Sequence, residues 1–197
     1  MTKLKPIISA IISALLALSM IIDPVAAARV YNWDTNTWEE KPAITRGRAG
    51  STIPREVVPY ETNLKAGTVI VETSERRLYY VLGNGEAVRY GIGVGRDGFR
   101  WSGQHRVTRK AEWPGWTPPP AMRKRIPDLP AYMPGGPDNP LGARAIYIGS
   151  TLYRLHGTSE PWTIGQAVSS GCIRLTNEDV IDLYDRVKVG DMVVVRL

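Results

Sequence analysis

From Gly67 to Leu197 the sequence is cut into short β-branched and aromatic runs, each ended by a turn former, the pattern of an all-β or mostly-β domain. "GTVIVET" (67–73), "RLYYVL" (77–82) and "EAVRYGIGV" (86–94) read as consecutive strands. Gly83-Asn84-Gly85 between the last two is a hairpin turn, because Asn and Gly accept the positive φ that such turns need. "HRVTRKAEW" (105–113), "ARAIYIG" (143–149), "LYRLHGT" (152–158) and "VGDMVVVRL" (189–197) supply further strands. One short helix is expected after Thr176, an N-cap followed by acidic Glu178 and Asp179 in the first turn. Val180, Leu183, Tyr184 and Val187 then fall on one apolar face.

Residues 114–142 break this rhythm with a long stretch rich in proline and glycine that can form neither a central strand nor a long helix. Trp113, Trp116, Met122 and Tyr132 give it packing residues, so it reads as a lid or wall over a groove.

At the other end, Lys3 and Lys5 precede an apolar run from Ile7 to Ile22, followed by Pro24 and small residues up to Ala28. This reads as a signal peptide over residues 1–28 with cleavage after Ala28. The alternative is a membrane anchor, although the run is short of the ~20 residues that span a bilayer. Residues 29–63 carry turn formers and charges with no sustained period and read as a leader or linker arm, either a tether or, with Trp33 and Trp38 packed onto the domain, an ordered arm, leaving residues 64–197 as one domain. The formal charge is +6, without a dense basic block beyond "MRKRIP" (122–127). For an exported protein this argues against nucleic acid and for a carboxylate-bearing partner, with solubility as the plainer account.

The sequence contains one cysteine, Cys172, which therefore has no internal disulfide partner. It is an inert buried thiol, a link to another chain, or a nucleophile, and the last needs a base and oxyanion donors nearby. Of the two histidines, His156 sits at a strand end and Cys172 in a Ser-Ser-Gly-Cys turn sixteen residues on, so strand ends can bring the two together. His105 has no motif around it and reads as structural. Gly171 permits a sharp turn and, with the amides of Cys172 and Ser170, could face a developing oxyanion. Ser169, or equally the carbonyl of Gly157, could fix the imidazole tautomer. Arg174 lies on the face of Cys172 if the segment is extended and could grip a substrate carboxylate.

"HGT" (156–158), "IGQAVSSGCIRL" (164–175), "NEDVIDLY" (177–184) and "PGGPDNPLGARAIYIG" (134–149) closely resemble the L,D-transpeptidase, or YkuD, catalytic domain. The resemblance runs from about Gly67 to Leu197 and implies a mainly β, β-sandwich-like fold with the cysteine at the rim of a groove. It implies Cys172 as nucleophile, His156 as base and later acid, Gly171 in the oxyanion turn, and Arg174 as the arginine of the family's Cys-x-Arg motif. Where relatives often carry His before Gly-Cys, this chain has Ser170, leaving His156 as the imidazole for the base. The implied reaction releases D-alanine from a peptidoglycan tetrapeptide stem and passes the acyl group to an amine, forming third-to-third-position cross-links. Attachment of an envelope protein, hydrolysis, or a non-catalytic wall-binding module are the alternatives. No metal or cofactor is expected, the location is the periplasm or cell envelope, and the oligomeric state is left open.

Overall fold

The computed structural model describes residues 27–32, 37–42 and 53–197, so the expected signal segment falls almost wholly outside the described residues. β1 (Ala27–Asn32) and β2 (Thr37–Pro42) pair as an antiparallel hairpin that begins at the last two residues of the expected signal segment and runs into the stretch expected to lack periodic structure. β3 (Glu56–Pro59) follows, then β4 (Val69–Glu72), β5 (Arg77–Gly83), β6 (Glu86–Gly91), β7 (Val94–Gly95) and β8 (Gly103–Glu112). α1 (Pro120–Arg125) precedes β9 (Arg144–Ile148) and β10 (Arg154–His156), which lead to β11 (Ala167–Ser169), β12 (Ile173–Arg174), α2 (Asn177–Arg186) and β13 (Met192–Arg196).

Nine strands form one sheet in the order β12-β10-β9-β8-β13-β4-β5-β6-β3. The ten-residue β8 is its corner. Residues 103–106 pair with β13, residues 107–112 pair with β9, and the register shifts between Val107 and Arg109. A strand that changes partners across a bulge bends a sheet over on itself. The bend brings β12, last in the order, round to Gly93 beyond β6, where Gly93 and Arg174 exchange two backbone hydrogen bonds of 2.9 Å. The result is mainly β and sandwich-like, with one continuous core inside.

Val69, Val71, Leu78, Tyr90, Ile146, Ile148, Leu155, Ile173 and Val193 fill that core, each burial contributing about 1.5–3 kcal/mol for a side chain of this size. The unbroken "VIV" of β4 has a cause: Ile70 points to the opposite face, where Tyr79, Val81 and Ala87 are covered by Val58, Tyr60 and Leu64. Part of the expected 29–63 arm is thus sheet and core cover, with β3 antiparallel on β6. Its alternation escaped notice because three of its four residues face solvent as an edge strand.

The hairpin between β5 and β6 turns at Asn84-Gly85, both at positive φ (54° and 76°), as the sequence requires. α2 packs Val180 and Leu183 into the core and is capped at its start by Thr176, whose side chain accepts the Asp179 N–H at 3.1 Å. At the other end Lys110 donates to the carbonyls of Tyr184 and Val187, satisfying the last turn. Tyr90 Oη donates to Asp182 Oδ2 at 2.6 Å and ties the helix to β6. Among the described residues no helix is long and apolar enough to cross a membrane.

Candidate active site

β10 and β12 run parallel, with Leu155 opposite Ile173 and His156 opposite Arg174. Side chains alternate along each strand, so Leu155 and Ile173 enter the core while Arg154, His156, Cys172 and Arg174 share the other face. That face opens on a groove of about 410 Å³, lined by Cys172, His156, Ser169, Ser170 and Arg174 together with Arg154 and Tyr153. The proline-rich segment supplies the far wall through Trp116, Pro119, Met122, Pro140 and Leu141. It folds as a short helix over its own small core of Trp116, Met122, Ile126, Leu129 and Leu141, which explains how so irregular a chain holds its shape. Trp113 and Tyr132 point elsewhere, 45% and 59% exposed.

His156 is 4% exposed, and its Nδ1 lies 2.6 Å from the Gly157 carbonyl oxygen. Nδ1 is then the donor and Nε2 keeps the lone pair. Burial, assisted by the positive charges of Arg174 and Arg154, pushes the imidazole down to about 3, against the pull of the Gly157 and Leu141 carbonyls. The Cys172 thiol is half-buried, 3.9 Å from the Leu152 carbonyl. Burial raises its pKa, while the Arg154 charge, the Arg154 backbone amide and Arg174 lower it. The two arginines act on both groups in a single sense, favouring neutral imidazole and anionic sulfur. Desolvation is the larger influence on the thiol, so both groups rest neutral, as S–H and as unprotonated ring.

The structure chooses between the two candidates for holding the ring and departs from the sequence reading at Gly171 and Arg174. Ser169 does not orient the imidazole: its hydroxyl donates to the Cys172 carbonyl at 2.6 Å and accepts the Gly171 N–H at 3.2 Å, closing the turn that carries Cys172. The Gly171 amide is accordingly directed at Ser169, not into the groove. Arg174, 7% exposed, faces inward to Glu160 at 3.0 Å rather than outward to an external carboxylate, because a desolvated guanidinium needs an internal counter-charge. His105 lies on β8, with its ring edge-on to Trp101 at 5.6 Å.

Residues that carried no sequence motif complete the site. Trp101 stacks on Tyr153 at 4.4 Å with planes 5° apart and donates from Nε1 to the Gly171 carbonyl at 2.7 Å. Gly171 itself sits at φ +105°, and a Cβ there would come within 2.5 Å of the Tyr153 ring. Glycine at this position is therefore required both by its backbone angle and by the ring against it. The pairing of Arg174 with Glu160 spans 14 residues and follows from the turn between β10 and β12.

The chain matches the model of the L,D-transpeptidase catalytic domain, YkuD, over residues 66–195. It is 45% identical to the probable L,D-transpeptidase ErfK/SrfK of Escherichia coli K12 over 72% of this chain and 47% of that protein. The chain spans about half the length of the curated relatives it matches. A crystal structure from Brucella melitensis, described as a probable carnitine operon oxidoreductase, is 42% identical, covers 71% of this chain and 91% of its own, and gives a TM-score of 0.50. That description stays with the Brucella protein. L,D-transpeptidase 3 of Mycobacterium tuberculosis, 20% identical with a TM-score of 0.50 over 67% of this chain and 61% of its own, shares the fold. With its model matched from β4 into β13 and across the groove, the chain belongs to the L,D-transpeptidase catalytic-domain (YkuD) family.

Proposed function

We propose that this protein is a cysteine-dependent peptidoglycan L,D-transpeptidase of the cell envelope, acting on a tetrapeptide stem. The observation that carries the reading is the convergence of Cys172 and His156 on one face of the parallel β10–β12 pair, opening into one groove. Cys172 Sγ attacks the carbonyl that joins the third stem residue to the terminal D-alanine. Nε2 of His156 takes the thiol proton as the S–C bond forms, then delivers it to the departing D-alanine amine as the C–N bond breaks. A neutral imidazole suits this order, since the proton moves during attack instead of before it. The Gly157 carbonyl holds the ring in the tautomer with Nε2 unprotonated. With the Gly171 amide directed at Ser169, oxyanion stabilisation falls to the amides of Cys172 and Ser170, held in place by the Ser169 and Trp101 contacts on the turn. An amine from a second stem then attacks the thioester, Nε2 of His156 takes its proton and returns it to Sγ as the S–C bond breaks, and the new C–N bond is the third-to-third-position cross-link.

The test is intact-mass spectrometry after incubation with a tetrapeptide stem fragment. The reading expects Cys172 to gain the mass of the stem less D-alanine, and Cys172→Ser and His156→Ala to gain none. No adduct on the wild-type protein, or undiminished turnover by His156→Ala, would overturn it. Products formed with added amine, envelope protein or water alone then separate cross-linking, protein attachment and hydrolysis.

A further inference from the structure

The groove lining contains four arginines, Arg96, Arg125, Arg154 and Arg174, and neither an aspartate nor a glutamate. Arg174 is answered by Glu160. Among the described residues no carboxylate pairs with the other three. Arg96, beyond β7, and Arg125, the last residue of α1, come from opposite walls and place their guanidinium groups against the Phe99 ring, 5.1 and 5.8 Å from its centroid. The ring orients both cations without neutralising either. Arg154 stands at the catalytic end, bonded through Nη2 to the Leu152 carbonyl at 3.2 Å, with its buried Nε unpartnered. Convergent cations around one cavity repel one another until an anion sits among them. Planar, forked donors match a carboxylate in particular.

We propose that Arg96, Arg125 and Arg154 form a carboxylate-selecting rim, so that the groove takes stems whose carboxylates are free acids and discriminates against the same stems amidated. The proposal rests on the reading of this groove as the donor-stem site. An amide presents no charge, so the guanidinium it faces loses its charge-assisted partner, which corresponds to a weakening of about tenfold or more.

Binding is measured without turnover, using Cys172→Ala and isothermal calorimetry with two tetrapeptide stems that differ only in free or amidated carboxylates. The free acid is expected to bind about tenfold tighter or better, the ratio to shrink with added salt, and the double variant R96Q/R125Q to bring it towards one. Equal affinities, no binding of either stem, or a ratio that survives in the double variant would overturn the rim. The adduct experiment on the wild-type protein reports separately. Discrimination without an adduct leaves the rim and removes the transpeptidase reading; an adduct formed equally with both stems, with equal affinities, does the reverse.

Discussion

Lowering the pH should unfold this protein earlier than its carboxylates alone require, because His156 is buried neutral. In the folded chain its pKa lies near 3, in the unfolded chain near 6.5, so between these values only the unfolded state takes up the proton. Stability is then at its full value above about pH 6.5 and falls as pH drops towards 3. At pH 5, about 1.5 pH units below the unfolded pKa, protonation favours the unfolded state by about 2 kcal/mol, and any folded pKa below about 4 gives nearly the same figure. That insensitivity makes pH 5 the useful place to measure. Urea unfolding followed by tryptophan fluorescence between pH 8 and 5, for wild type and His156→Gln, isolates the effect: the carboxylates cancel in the difference, and only its slope counts. The difference should narrow by about 2 kcal/mol as the wild type loses its advantage. A difference that stays flat would mean that His156 titrates normally in the folded chain, and the neutral-base mechanism would lose its footing.

Two further outcomes follow from the packing around the turn. Glu160→Ala leaves Arg174 buried and uncompensated and should cost about 3–5 kcal/mol in urea unfolding at neutral pH; a loss below about 1 kcal/mol would show the pair to be solvated. Trp101→Phe keeps the stack on Tyr153 but removes the hydrogen bond to the Gly171 carbonyl. It should lower stability by only about 1 kcal/mol while slowing Cys172 acylation at saturating stem, and an unchanged acylation rate would remove the positioning role.

Much of the fold was readable because local chemistry and tertiary structure agree. Asn84-Gly85 demands its turn, Thr176 and Asp179 cap their helix, and the β-branched runs became β4, β5, β9 and β13. What escaped was set from outside the segment concerned. β3 shows mostly polar or exposed positions, and β7 and β12, at two residues each, exist through pairing with the distant β11 and β10. At the site, a lone cysteine and one suitable histidine could be picked out by elimination and motif. The sequence reading left Ser169 and the Gly157 carbonyl as equal candidates to hold the ring, since the choice depends on which way a hydroxyl points inside a three-residue turn. Glu160 and Trp101 carry no local signature, since their partners lie 14 and 70 residues away.

The neutral state of Cys172 and His156 also bears on survival. Thiolate is the form that attacks peroxides and disulfides, and a sulfur kept protonated reacts with them slowly. If Cys172 turns over as proposed, then in an oxidising surrounding the protein would age slowly while idle and be vulnerable mainly during turnover, so its lifetime would be counted in reaction cycles more than in hours.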